Sequence, residues 1–141
     1  MKMVLVSGGF DPLHDGHLDL LEGAAQYGSV IVALTSDAWL VRKKGYAFLP
    51  WLVRARILRA LEPVHDVINF NDGDNSTCSA LLKVLPQIFA NGGDRTEADS
   101  REHEVCHKFG IKELFDVGGP KKVSSQGLVN DAIFECTGLR P

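Results

Sequence analysis

The strand-to-helix junction near the N-terminus constrains the fold most strongly. An uninterrupted apolar run at residues 3–6 is typical of a strand buried on both faces, and Ser7, Gly8 and Gly9 end it. Apolar residues then recur at helical spacing until Gly28, and a second apolar run follows at residues 30–34. A strand, a helix and a strand in this order predict a parallel pair with a right-handed crossover.

The same alternation continues through the rest of the chain. A short helix and a loop are expected at residues 35–49, and Pro50 suits the start of a helix that ends near Glu62. Further strands are predicted at residues 67–70, 87–90 and 113–117, and further helices at residues 79–85, 99–109 and from 124 or 125 to about 138. The sequence therefore predicts one α/β domain over residues 1–141, with a Rossmann-like open parallel sheet of about five strands and helices on both faces.

Composition excludes several classes of protein. A net charge of −3 without a dense basic cluster argues against nucleic acid as a partner. The three cysteines are far apart and form no C-x-x-C pair, which is typical of reduced thiols. No window of about eighteen apolar residues occurs, so no membrane partner is expected and the cytoplasm is the default location.

Small and polar residues follow four of the predicted strands. In open parallel sheets, ligands bind beyond the carboxyl ends of the strands, where the strand order reverses. Glycines at these ends would let a ligand approach the backbone. The strand ends in question are Gly8-Gly9, Thr35-Ser36-Asp37, Asn91-Gly92-Gly93-Asp94 and Gly118-Gly119.

Two histidines lie at the first of these junctions. His14 and His17 flank Gly16 where a helix begins, and helix N-termini attract anions. Imidazoles there could hydrogen-bond phosphate oxygens and stabilise charge on a phosphorus in transit. The alternative is that the two rings only cap the helix. A metal site is disfavoured because no third ligand follows at a convincing spacing.

Arg54 breaks the apolar face of its predicted helix. At about 100° per residue it falls among the apolar side chains of that helix, namely Trp51, Val53, Ile57, Leu58 and Leu61. An inward arginine needs an anion, and a ligand phosphate would satisfy its planar donor group. The alternative is a guanidinium that extends out to solvent from the first turn.

Residues 9–17, which read Gly-Phe-Asp-Pro-Leu-His-Asp-Gly-His, resemble the G-x-F-D-x-x-H-x-G-H signature of the cytidylyltransferase-like nucleotidyltransferase superfamily. Further matches to that family occur in the same order along nearly the whole chain: Thr35-Ser36-Asp37, Lys44-Gly45, Arg54, Gly92-Gly93-Asp94 and Val123-Ser124-Ser125. Glycerol-3-phosphate cytidylyltransferases and domains that activate heptose 1-phosphate are the most similar in size and arrangement.

The resemblance implies in-line attack by a substrate phosphate on the α-phosphorus of CTP or ATP, with release of pyrophosphate and no protein nucleophile. The acceptor would be a small phosphorylated sugar or polyol, and Mg²⁺ would be held mainly by the nucleotide phosphates. Relatives also form homodimers. The catalytic residues would be His14, His17, Lys44 and Arg54. The nucleotide would contact Gly8, Gly9, Phe10, Asp11, Gly16, Gly92, Asp94, Ser124 and Ser125. Asp37 and Trp39 would line the acceptor pocket.

Three alternatives to this function stay open. An adenylyltransferase of coenzyme synthesis is one, because Phe-Asp-Pro also occurs in those relatives. A nonenzymatic nucleotide-binding module is another, because Leu52 stands where the family often has an acidic residue and Gln126 follows Ser125 in a changed last motif. The third is a zinc hydrolase, because residues 103–107 match H-E-x-x-H, although no third ligand is evident.

Overall fold

The computed structural model describes residues 2–93, 99–120 and 124–139. Within these residues strands and helices alternate along the chain. In order they are β1 (Met3–Gly8), α1 (Asp15–Ala25), β2 (Ser29–Leu34), α2 (Asp37–Lys44), α3 (Trp51–Arg59), β3 (Val64–Ile68), α4 (Cys78–Val84), β4 (Ile88–Ala90), α5 (Ser100–Phe109), β5 (Lys112–Leu114) and α6 (Ser125–Thr137).

The five strands form one parallel sheet in the order β3-β2-β1-β4-β5. The predicted fold class is thereby confirmed. The strand order reverses between β1 and β4, because the chain first builds outward through β2 and β3 and then returns to the other side of β1. This reversal opens a crevice at the carboxyl ends of β1 and β4, where ligands of such sheets bind.

Two strands differ from the predicted limits. β3 begins at Val64, directly after Pro63, because Val64 pairs with Val30 of β2. β5 stops at Leu114, because the chain then turns through left-handed backbone at Asp116, Gly118 and Gly119. A turn of this kind ends the strand pairing of β5, although the sequence pattern predicted a strand that continues to residue 117.

Each face of the sheet carries its own apolar core. Val4 and Val6 of β1 pack in the core beneath α1 and α3, and Leu5 packs in the core beneath α4 and α5. Successive strand side chains point to opposite faces, so the two cores follow from the continuous apolar runs. The predicted placement of helices on both faces is confirmed.

Helix α3 buries a different stripe from the one that the helical wheel predicted. Arg54, Ala55 and Leu58 are its buried residues, whereas Val53 and Ile57 are exposed. The inward orientation of Arg54 is confirmed, because only 1% of the residue is accessible to solvent. Among the described helices, none combines the length and the apolar character needed to cross a bilayer.

Candidate active site

A cleft of about 780 Å³ opens at the carboxyl edge of the sheet, over β1 and β4. Most of the site residues predicted from sequence line it. These are Gly8, Gly9, Phe10, Asp11, His14, Gly16, His17, Trp39, Lys44, Gly92, Ser124 and Ser125. Arg54 and Asp37 are not among its lining residues, and Asp94 lies outside the residues that the structure describes.

His14 and His17 cap the N-terminus of α1 reciprocally. His14 N–H donates to His17 Nδ1 at 3.2 Å, and His17 N–H donates to His14 Nδ1 at 3.4 Å. The rings stack with centroids 3.7 Å apart. A nitrogen that accepts a hydrogen bond carries no proton, so each neutral ring has its N–H at Nε2. The two rings therefore do cap the helix, with Nδ1 as the acceptor and Nε2–H as the N–H group of each ring.

Phe10 packs against the His17 ring of this pair. Its backbone is left-handed, with φ at 48°, and its ring lies 4.6 Å from the His17 ring at an angle of 52°. A Cβ at Gly8 would lie 3.2 Å from the Phe10 ring, so Gly8 allows the ring to sit close beneath the strand end. The structure thus gives Phe10 a buried supporting position beside the histidine.

Asp11 contacts protein groups where sequence predicted a nucleotide. Its carboxylate accepts from Phe48 N–H at 2.6 Å and Leu49 N–H at 2.7 Å, and Lys44 Nζ lies 3.1 Å away. Asp11 therefore clamps the loop after α2 onto the loop after β1. Within the short helix and loop predicted at residues 35–49, Lys44 is the last residue of α2, and Gly45 caps that helix in a left-handed conformation.

Arg54 is also satisfied by the protein. Its guanidinium donates to the carbonyls of Leu49 at 2.9 Å, Gly9 at 3.0 Å and Thr35 at 2.8 Å. Its fourth partner is Asp37 Oδ1, at 2.6 Å. The anion beside the inward arginine is thus Asp37, and the phosphate contact predicted for Arg54 and the acceptor contact predicted for Asp37 stay predictions. Both residues hold the loops that form the cleft.

The N-termini of α1 and α6 converge at the cleft. Ser124 caps α6 by accepting from Gly127 N–H at 2.9 Å, and the Ser125 hydroxyl donates to the Pro12 carbonyl at 2.7 Å. α6 is 13 residues long, so its N-terminus carries a substantial positive partial charge. Two helix N-termini at one edge form a favourable place for an anion such as a phosphate group.

Sequence reasoning missed several polar residues that line the cleft, among them Ser7, Thr77 and Glu102. Glu102 lies in the first turn of α5, where acidic residues are common because they interact favourably with the helix dipole. A glutamate at this position therefore did not indicate a functional residue. Only 2% of Glu102 is exposed. α5 is fixed by the carboxylate of Asp99, which caps it, and the Arg101 side chain holds the pKa of Asp99 below its ordinary value.

The H-E-x-x-H segment lies on α5, within the helix predicted at residues 99–109. His103 Nδ1 pairs with Glu113 Oε2 at 2.7 Å, and the His107 ring centroid is 6.3 Å from that of His103. In residues 2–93, 99–120 and 124–139, no three His, Cys, Asp or Glu side chains are grouped so that they could hold a metal ion. The third ligand that a zinc hydrolase needs is therefore not supplied by this part of the chain.

Comparison with known proteins identifies one family. The model of the Cytidylyltransferase-like family matches residues 5–116. The bifunctional protein HldE of Erwinia tasmaniensis is 36% identical over 125 residues, which cover 86% of this chain and 24% of that protein. The FAD synthase of Ferroglobus placidus is 31% identical over 112 residues, which cover 79% of this chain and 72% of that protein.

The fold also has a solved counterpart. A lipopolysaccharide core biosynthesis protein from Thermoplasma volcanium superposes with a TM-score of 0.72 at 23% identity, covering 88% of this chain and 99% of the other. The likeness at this identity concerns the fold. The chain spans about a quarter of the length of the HldE proteins that it matches.

Proposed function

Because the chain belongs to the Cytidylyltransferase-like family, we propose that it transfers a nucleotidyl group from CTP or ATP to a small phosphorylated sugar or polyol and releases pyrophosphate. The observation that carries this proposal is the meeting of two helix N-termini and the His14–His17 pair at one cleft. This arrangement suits a group with several negative charges better than it suits a neutral ligand.

The reaction is an in-line displacement at phosphorus. An oxygen of the acceptor phosphate attacks the α-phosphorus, and the bond from that phosphorus to the bridging oxygen of pyrophosphate breaks. Charge on the phosphoryl oxygens is stabilised by donors that are already oriented, which is the main task of the protein in phosphoryl transfer. The Nε2–H groups of His14 and His17 are such donors, because the capping bonds fix both rings.

Lys44 supplies a positive charge at the cleft. Its ammonium lies 3.1 Å from Asp11 at the cleft, so the carboxylate positions it beside the loop that carries the histidines. Mg²⁺ fits this site only as a companion of the nucleotide, because the described residues offer no group of three ligands and both Asp11 oxygens have protein donors. Held by phosphate oxygens, the ion would neutralise triphosphate charge.

The similarity to an FAD synthase favours a second candidate, adenylyl transfer to a coenzyme precursor. The nonenzymatic module has less support. Leu52 is 76% exposed on α3 and is not among the lining residues, so the departure from the family at that position does not alter the cleft. Gln126 does line the cleft, and its amide donates to Asn130 within α6.

Pyrophosphate release tests the function. The purified chain would be assayed with each of the four ribonucleoside triphosphates against phosphorylated sugars, phosphorylated polyols and riboflavin 5′-phosphate, with Mg²⁺ present. We expect release with CTP or ATP and a sugar or polyol phosphate. Turnover of riboflavin 5′-phosphate alone would favour the coenzyme route, and tight nucleotide binding without turnover would favour the binding module. Light scattering tests the homodimer that the resemblance implies.

A further inference from the structure

Three polar side chains from three different elements meet inside the cleft. Thr77 N–H, at the start of α4, donates to Glu102 Oε2 at 2.7 Å. The Thr77 hydroxyl donates to Ser7 Oγ, at the end of β1, at 3.0 Å. Glu102 is 2% exposed, yet it contributes to the cleft wall together with Ser7 and Thr77. A carboxylate is thus fixed by a backbone N–H in a buried residue of the cleft wall.

This cluster lies on the opposite side of the sheet from the histidines. Along β1, Val4 and Val6 face the core under α1, whereas Leu5 faces the core under α4 and α5. Ser7 continues the alternation of Leu5 and therefore points toward α4 and α5, where Thr77 meets it. The cleft accordingly has a wall with the two imidazoles and a second wall with the carboxylate.

An in-line displacement uses both walls. The attacking and leaving oxygens must lie on opposite sides of the α-phosphorus. A triphosphate whose leaving phosphates lie at the N-termini of α1 and α6 presents its other side to the wall of Ser7, Thr77 and Glu102. The body of the attacking molecule then lies against this second wall.

We propose that Glu102 is the residue that determines acceptor specificity, by accepting hydrogen bonds from carbon-bound hydroxyl groups of the phosphorylated acceptor. The proposal rests on the proposed function, and it specifies that the protein recognises hydroxyl groups of the acceptor. Thr77 orients the carboxylate, and Ser7 and Thr77 add hydroxyls to the same wall. The Thr35 hydroxyl is buried and has no hydrogen-bond partner among the described residues. Thr35 directly follows β2 and also lines the cleft.

A cation of the protein at the same cleft disfavours an acceptor that carries an amine. Trp39 and Lys43 line the same cleft, and Lys43 Nζ lies 4.7 Å from the centre of the Trp39 ring. The aromatic face that would attract an acceptor amine is thus occupied by a cation of the protein. Lys43 attracts an acceptor phosphate and repels an acceptor ammonium group.

The test compares binding of defined phosphates to the chain loaded with a non-hydrolysable α,β-methylene triphosphate. The hydroxylated probes are glycerol 3-phosphate, ribose 5-phosphate and glucose 1-phosphate, and the matched probes are n-propyl phosphate, which lacks hydroxyls, and phosphoethanolamine, which carries an amine. We expect at least one hydroxylated probe to bind at least tenfold more tightly than either matched probe. Glu102→Gln should remove that preference and change triphosphate Kd less than twofold. Glu104→Gln, exposed on the same helix, should leave both unchanged.

Several results would overturn the assignment. Equal binding of n-propyl phosphate or phosphoethanolamine, an unchanged preference in Glu102→Gln, or no binding of any hydroxylated probe would each do so. If Glu102→Gln does not fold, the comparison of probes on the unaltered chain decides. Pyrophosphate release is measured in parallel. If no triphosphate gives release but Glu102→Gln still removes the binding preference for hydroxylated probes, nucleotidyl transfer is refuted and the role of Glu102 in binding is supported.

Discussion

His14 and His17 hold each other's backbone N–H groups through Nδ1, at 3.2 and 3.4 Å, so the same two rings begin helix α1 and line the cleft. In each ring, Nδ1 accepts the capping hydrogen bond, and Nε2 carries the proton of the neutral ring. We therefore expect substitution of either histidine to change stability and the proposed ligand contact together. The two effects are separated by replacing the ring with a side chain that mimics Nδ1 alone.

His17→Ala should reduce kcat about 10²- to 10³-fold, the usual effect of losing one oriented donor to a charged transition state. It should also cost about 1 kcal/mol of unfolding free energy, because one capping bond is lost. Steady-state pyrophosphate release and urea denaturation measure the two. Comparable proportional losses of activity and stability would contradict a catalytic role.

His17→Asn is the matched control for that variant. The asparagine side-chain oxygen can accept the His14 N–H in place of Nδ1, but nothing replaces Nε2–H. We expect its unfolding free energy to lie closer to that of the unaltered chain while kcat stays as low as in His17→Ala. Recovered turnover in the asparagine variant would show that capping alone is needed.

Arg54→Met should destabilise the chain by about 3 kcal/mol or more even without ligand. The change strips hydrogen bonds from the carbonyls of Gly9, Thr35 and Leu49. Arg56→Met, on the exposed side of the same helix, should cost less than about 0.5 kcal/mol. Denaturant titration checks both values. An unaltered stability with a large loss of triphosphate affinity would instead support the phosphate contact predicted from sequence.

Gly118→Ala should be far more destabilising than Gly119→Ala. Both glycines have left-handed backbones, with φ at 83° and 89°, so both substitutions incur about 1 kcal/mol of backbone strain. A Cβ at Gly118 would in addition lie 2.5 Å from the Asp19 carbonyl oxygen of α1, whereas a Cβ at Gly119 would have no atom of the described residues within 4 Å. We expect a difference of at least about 2 kcal/mol in thermal or urea unfolding. Equal costs would mean that the turn does not pack against α1 as described.

Asp99→Ala should destabilise the chain in a pH-dependent way. Hydrogen bonding to Arg101 holds the pKa of Asp99 below its ordinary value of 3.8, so its contribution is present above about pH 4 and is lost as pH falls through the lower folded value. At pH 7 we expect a loss of about 1 kcal/mol from the missing cap of α5. Urea unfolding between pH 7 and pH 2.5 should show the difference between Asp99→Ala and the unaltered chain shrinking, and a constant difference would contradict the lowered pKa.

The fold followed from local patterns that need no knowledge of distant residues. Continuous apolar runs such as residues 30–34 predicted strands buried on both faces, and they lie at the centre of the sheet. Helix limits were more accurate than strand limits, because Ser124 and Gly138 act as caps through contacts within a few residues. The limits of β5 were less predictable, since strand pairing depends on a neighbour elsewhere in the chain.

The polar partners of the site were the part that sequence could not provide. The buried face of α3 identified Arg54, but its acceptors at Gly9 and Thr35 lie 45 and 19 residues away. The carboxylate of Asp11 accepts a hydrogen bond from Leu49 N–H across 38 residues, a partner that sequence spacing does not indicate. Glu102 showed no sign in the sequence of being buried, because a helix first turn accepts glutamate for local reasons alone.

The sequence by itself determined the parallel α/β fold, the position of the histidine turn and the family, because these depend on hydrophobic period, caps and a contiguous motif. Only the tertiary structure decided which partners the charged side chains have. Asp11, Asp37 and Arg54 were committed to protein partners by loops brought together at the sheet edge, whereas the pairing of Thr77 with Glu102 placed an acid in the cleft. Burial and pairing of charge are properties of packed neighbours, and neighbours in space are fixed only when the sheet has formed.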